Sequence, residues 1–274
     1  TSYKYPQMSR DAATPWRARR LFELISTNKK VTMDNVRDAQ HDSYNIPVAN
    51  LSKKIVELNA ASPETISILK AWDGRMTAQS QGALLANEIR VCAANKIAAD
   101  NAPVPAFIIR ERVLDRAVSE NLSRWLPAGT AGYSDLFKIC DALVRSQLSD
   151  PKRLGPETSK WFWGRTWQSR FSHPLASVPL IGGQFVIPVV PLDGSGQTPN
   201  VGSGVSMRHI TSPGNWDATR HVIPLGQSGN PRSPFFMDQF GAWATGTPQI
   251  FPFSAGAVEK ASRSITMLVP AVKK

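Results

Sequence analysis

Histidine and cysteine are the natural starting points for a search for chemistry, and both are sparse in this chain. His41, His173, His209 and His221 sit too far apart for a metal-ligand pattern, and neither Cys92 nor Cys140 has a neighbouring His to activate it. Each His has the chemistry of a general base toward a distant Ser and Asp, but each is more simply read as a structural or surface group. The sequence has no His-Glu-x-x-His, Cys-x-x-Cys, phosphate-loop or Gly-x-Ser-x-Gly motif. Gly202-Ser203-Gly204 begins like a dinucleotide loop, yet the third glycine and the following helix are missing. Two other features carry more. Arg17 falls four residues before Leu21 and seven before Leu24, on the side of the apolar stripe, whereas Arg19 and Arg20 turn partly away. A cation in a first helical turn meets the unfavourable end of the helix dipole, so it calls for a carboxylate or oxyanion partner; the simpler alternative is a stem covering apolar surface with its head in water. The segment Pro224-Leu225-Gly226-Gln227-Ser228-Gly229-Asn230-Pro231 either turns the chain or presents backbone N–H groups, with Gln227 and Ser228 as candidate substrate contacts.

Composition bounds the elements that must hold these groups. The chain has 274 residues, 42% hydrophobic and 19% charged, which suits one or two globular domains with a substantial core. No stretch of eighteen apolar residues encodes a membrane span, and Thr1-Ser2-Tyr3-Lys4 is no secretory signal. A start without Met fits a processed product or a fragment. The net charge of +11 invites a nucleic-acid reading, but basic residues are dispersed among acids, as in Arg110-Glu111-Arg112 and Asp115-Arg116, with no basic stripe interleaved with aromatics. A solvated helix face or an acidic partner chain accounts for them better. Two cysteines exclude a disulfide framework and leave room for one bridge.

From Phe171 onward the chain holds 12 of its 18 Gly and 12 of its 21 Pro but only 11 of its 53 charged residues, which separates a helical first part from a β-rich second. Residues 1–160 are expected to be mainly helical and 161–274 mainly strands and loops. Thr14-Pro15 predicts an N-cap and a helix over 15–28; further helices are expected over 32–42, 47–60, 63–72, 80–98, 105–126 and 133–148. Cys92 and Cys140 both fall on apolar faces, which suits buried free thiols, although facing helices could also join them. Strands are predicted at 184–190, 205–210, 217–223 and 264–269. Helices followed by strands make an α+β fold rather than an alternating βαβ one.

Five stretches together resemble the penicillin amidase family of N-terminal-nucleophile hydrolases, which includes penicillin, aculeacin and acyl-homoserine-lactone acylases. They are Pro15-Trp16-Arg17-Ala18-Arg19-Arg20-Leu21, Leu69-Lys70-Ala71-Trp72-Asp73-Gly74, Trp163-Gly164-Arg165 with Phe171-Ser172-His173-Pro174-Leu175, Gly204-Val205-Ser206-Met207-Arg208, and Gly226 to Pro234 with Asp238-Gln239. Ser80-Gln81-Gly82-Ala83-Leu84-Leu85 looks closer to the lactone and aculeacin acylases. The match lies in the C-terminal part of the β-subunit and spans nearly the whole chain. It implies part of an αββα sandwich and amide hydrolysis by an N-terminal Ser, whose own amine is the base and which passes through an acyl-enzyme. An Asn side chain and a backbone N–H form the oxyanion hole.

The resemblance further implies autoproteolytic maturation, an α-subunit and an N-terminal β segment as partners, a periplasmic or secreted location and, in some members, a structural Ca²⁺ whose ligands have no match here. No other cofactor is implied. The nucleophile and oxyanion Asn fall upstream of Thr1. Of the family's catalytic set only Arg17 transfers, as the group that holds the network around the nucleophile and its amine. Thr1 has nucleophile chemistry, but Tyr3-Lys4-Tyr5-Pro6-Gln7 does not supply the apolar strand that should follow it. Competing readings are a noncatalytic basic module binding an anionic polymer or membrane surface, and an inactive acylase homologue.

Overall fold

A computed structural model describes residues 14–27, 30–101, 107–202 and 204–270. Two compact units are present: residues 1–30 with 39–204, and residues 31–38 with 205–274. The Thr1 to Gln7 segment, position 28, positions 105–106 and Ser203 lie outside the described residues.

The first unit holds α1 (Trp16–Ser26), α3 (Ile46–Glu57), α4 (Pro63–Ala71), α5 (Gln81–Asn101), α6 (Phe107–Ser119) and α7 (Tyr133–Ser149), while α2 (Met33–Gln40) runs across the boundary. Local signals place them. Asn45 accepts from the Val48 N–H to cap α3, and Ser62 accepts from the Thr65 N–H to cap α4, each with Pro in the first turn. At α1 the expected cap is replaced: Pro15 itself is the cap residue without a side-chain bond, and the Thr14 hydroxyl reaches Gln197 instead. α6 stops at Ser119 rather than 126, where Asn121 enters the left-handed region, and a 3₁₀ turn follows at Ser123–Trp125.

α5 is the central strut. Ala83, Leu84, Leu85, Ile89, Ala93 and Ile97 leave it on nearly all sides fully buried, and α3, α4, α6 and α7 pack around it. Gly82 lies so close to Trp72 that a Cβ there would be 2.5 Å from the Trp72 Cβ. Cys92 of α5 and Cys140 of α7 form a disulfide with Cα atoms 5.7 Å apart, which corrects the free-thiol expectation: the two helices are packed neighbours.

The second unit carries a three-stranded antiparallel sheet of β1 (Arg208–Ser212), β2 (Asn215–Val222) and β3 (Gln249–Ile250), in that order, with α8 (Phe240–Thr245) and α9 (Ala255–Ala261). Ile210, Val222 and Trp243 are buried there. Two expected strands are absent. The 184–190 run begins inside a 3₁₀ turn at Gly182–Phe185 and continues extended; Pro188 lacks a donor, and pairing is limited to Val190 O accepting from the Ser169 N–H at 2.9 Å beside an isolated bridge of Gln168 with Pro191. Residues 264–269 are extended and exposed, also without a ladder among the described residues. Helices and one antiparallel sheet together make the chain α+β.

Candidate functional site

The segment Asp193 to Gly202 reads in sequence as a Gly-rich connector, yet it is built into the interior of the first unit. Gly194 donates to Met76 O at 2.7 Å, Asp193 Oδ1 accepts from the Ala78 N–H at 2.7 Å, and Trp163 Nε1 donates to Gly194 O at 2.9 Å. Gly194 has φ +87°, and any Cβ would run into the Asn200 carbonyl oxygen, so this position requires glycine. The buried Ser195 hydroxyl accepts from Asn45 Nδ2 at 3.0 Å, tying the loop to the α3 cap.

Arg17 leans onto this loop. Its NH2 group donates to Gly196 O at 2.7 Å, while its Nε is buried and has no hydrogen-bond partner. A guanidinium offers five N–H donors, and the described residues engage one of its nitrogen groups. The carboxylate expected from the helix-dipole argument is not supplied by the described residues; a backbone carbonyl stands there. Among the described residues, Gly196 O is the acceptor that Arg17 engages.

An ionic cluster is linked to the start of α1 through Trp16. Arg90 is 1% exposed and pairs with Glu111 Oε2 at 2.6 Å and Asp115 Oδ1 at 2.8 Å. Burial works against its charge, but the attraction of Asp115 and Glu111 outweighs it and raises its pKa above the ordinary arginine value. The carboxylates extend outward: Asp115 accepts from Trp16 Nε1 at 3.0 Å, and Glu111 accepts from Gln197 Nε2 at 2.8 Å. Gln197 Oε1 in turn accepts from the Thr14 hydroxyl at 2.6 Å. Thr14 and Trp16, just before Arg17, and the loop carrying Gly196 are thus linked to one buried cation. A cleft of about 430 Å³ opens beside α1, lined by Pro15, Trp16, Leu51, Lys54, Leu114 and Asp115 among others.

Arg20 serves a different purpose. It forms a two-pronged pair with Asp42 at 2.8 and 2.9 Å and lies over the Tyr44 ring, while Arg75 reaches the same carboxylate at 3.1 Å. Burial pushes Asp42 up, but the two guanidiniums prevail and hold it below its ordinary value. A carboxyl depressed by folding contributes its full stabilisation above its unfolded pKa, about 4, and loses it as pH falls through the lower folded value. Acid titration of the unfolding transition should therefore show a smaller loss in Asp42→Asn than in the parent; identical acid profiles would contradict this role.

A sequence profile described as penicillin amidase matches residues 1–260. The chain belongs to the penicillin amidase family. It is 27% identical over 256 residues to a penicillin acylase 2 proenzyme from Pseudomonas sp. (strain SE83), covering 85% of this chain and 33% of that relative. It is 26% identical to the acyl-homoserine lactone acylase QuiP of Pseudomonas aeruginosa, covering 90% and 35%. The chain thus spans about a third of the length of these curated relatives. A thermostable penicillin G acylase from Alcaligenes faecalis superposes with a TM-score of 0.58 at 14% identity, covering all of this chain and 57% of that one. The fold is accordingly that of this penicillin amidase.

In this member of the family, Gln227 and Ser228 lie in the second unit. The Ser228 hydroxyl accepts from the Asn230 N–H at 3.1 Å, and its own N–H donates to Phe235 O, so its polar groups shape the turn; Gln227 is exposed. His173 caps a 3₁₀ turn by accepting from the Leu175 N–H and stacks on Phe185. His209 and His221 face each other across β1 and β2, and burial followed by the His209 charge lowers the His221 pKa. Arg90, Glu111, Asp115 and Asp42 were not singled out by sequence reasoning. The available signal was Arg90 itself, a cation set between Ile89 and Val91 of an Ala-rich helix.

Proposed function

We propose that this chain is the C-terminal part of the β-subunit of an N-acyl amide hydrolase whose nucleophile, an N-terminal Ser, lies outside it. The observation that carries this reading is Arg17: a guanidinium fixed by Gly196 O, with a buried Nε left unpartnered, on a helix start anchored to Arg90. In the assembled enzyme the α-amine of the Ser takes the hydroxyl proton, the oxygen attacks the amide carbonyl and the amine product leaves. Water then hydrolyses the acyl-enzyme to release the acid. The role of Arg17 is to donate to and orient the groups around the Ser and its amine. Both relatives named above are acylases, which supports this reaction class.

The partners in this reading are the α-subunit and the N-terminal β segment of one precursor. Exposed apolar side chains support such coverage: Phe22 is 73% exposed, Phe253 70% and Leu268 91%. The Cys92–Cys140 disulfide supports an oxidising, periplasmic or secreted location. Among the described residues no group of three or more His, Cys, Asp or Glu is arranged to hold a metal ion, and no step of this reading runs through a Ca²⁺. The exposed Gln227 amide is the candidate substrate contact of the second unit. Co-expression tests the reading: this chain alone should hydrolyse no N-acyl amide, and joining it with its precursor's remaining segments should restore turnover. Activity of the isolated chain, or none in the complete assembly, would overturn it.

A further inference from the structure

The sheet of the second unit places three metal-capable side chains in one row. His209 of β1 pairs directly with His221 of β2, and His221 pairs with Gln249 of β3. Residues directly opposite on neighbouring strands share a face, and here that face is open: His209 and Gln249 are exposed and His221 is half-buried. The two Nδ1 atoms lie 3.2 Å apart, and His209 Nε2 is 2.7 Å from the Thr211 hydroxyl. In the tautomer with its proton on Nε2, His209 donates to that hydroxyl and its Nδ1 lone pair faces His221. A bond from one imidazole to a fixed polar group is the usual support of a metal-bound histidine. On its other side His221 is packed against Phe251, with ring centroids 5.1 Å apart.

We propose that His209 and His221 form a two-imidazole chelate for a divalent transition metal of the zinc, nickel or copper type. At a metal–nitrogen distance of about 2.0–2.1 Å, two nitrogens 3.2 Å apart subtend roughly 100° at the ion, close to the tetrahedral angle. A modest turn of each ring brings both lone pairs onto that point. The ion takes the place of the proton between the two Nδ1 atoms, and His221 binds in the tautomer that carries its proton on Nε2, so both ligands are neutral imidazoles and no net proton is released. Imidazole nitrogens select borderline metals over Ca²⁺ and Mg²⁺, which take oxygen ligands. Gln249 offers an amide oxygen in the same row, and water fills the rest. The site is independent of the acylase reading, since it uses neither Arg17 nor the 193–202 loop.

Calorimetric titration of the EDTA-treated full chain with zinc chloride at neutral pH tests this. One ion per chain is expected, with affinity falling at least ~10-fold in His209→Asn and in His221→Asn, lost in the double variant, and reduced about 10-fold in Thr211→Val. Nitrogen-15 spectra of the unaltered chain provide a readout that needs no variant: zinc should move the Nδ1 resonances of two histidines. Absence of binding, binding that survives in the double variant, or unmoved Nδ1 resonances would overturn the proposal.

Discussion

Arg90→Ala should destabilise the assembled protein by about 3–5 kcal/mol, read from the denaturant midpoint at constant slope. The guanidinium is 1% exposed and faces two carboxylates, Glu111 and Asp115, at 2.6 and 2.8 Å. Truncation leaves both anions buried without a cation and opens a cavity against α5. The cost is the penalty of two unpaired charges, not the worth of the ion pairs themselves. Neutralising the whole set with Arg90→Met, Glu111→Gln and Asp115→Asn should therefore recover part of the loss, because the amides still accept from Trp16 and stay bonded to Gln197. A change below about 1 kcal/mol in Arg90→Ala would show that the cluster is not the anchor of α1 and the 193–202 loop.

Arg17→Ala in the reassembled enzyme should lower kcat by about 10²–10³-fold with KM little changed, the scale seen when a preorganised donor is removed from a reacting centre. Arg17 is a positioning residue in this account, so a fall in rate alone is not sufficient proof. A cation near the nucleophile's amine depresses the amine pKa and keeps it neutral as a base. Removing that cation should move the acidic limb of the kcat/KM profile to higher pH, and Arg17→Lys should restore much of its position. An unshifted limb in Arg17→Ala, or full activity, would remove the assigned role.

What was legible in the sequence follows from the range of the interactions involved. Ser62-Pro63 announces α4, and the Leu21 and Leu24 stripe announces α1, because capping and periodicity act within a few residues. Arg17 stands out in the sequence for a local reason too, since its conflict with the helix dipole and its apolar side involve only neighbouring residues. The partner was not legible. Gly196 lies 179 residues away and contributes a backbone carbonyl, which has no side-chain signature. The Asp193 to Gly202 loop looks like a linker because its function is to meet Met76, Ala78, Asn45 and Asp42, contacts that exist only after the helices close around it. Strand prediction failed where β-branched residues were interrupted by Pro188, and the His209–His221 pairing depends on a register irregularity between Ile210 and Ser212 that no periodicity encodes. The disulfide depended on α5 and α7 being neighbours, which apolar faces permit but do not specify.

In the proposed function this chain positions a nucleophile that lies on another segment of the enzyme. Treating the native assembly with a serine-acylating amide analogue and locating the added mass by intact-chain and peptide mass spectrometry tests it most directly. The label should appear on the N-terminal Ser of a separate segment, with Thr1–Lys274 unmodified and with labelling slowed in the Arg17→Ala assembly. A label on this chain, at Thr1 or any other hydroxyl, would contradict the account, as would an assembly that turns over substrate without any acylated N-terminal residue.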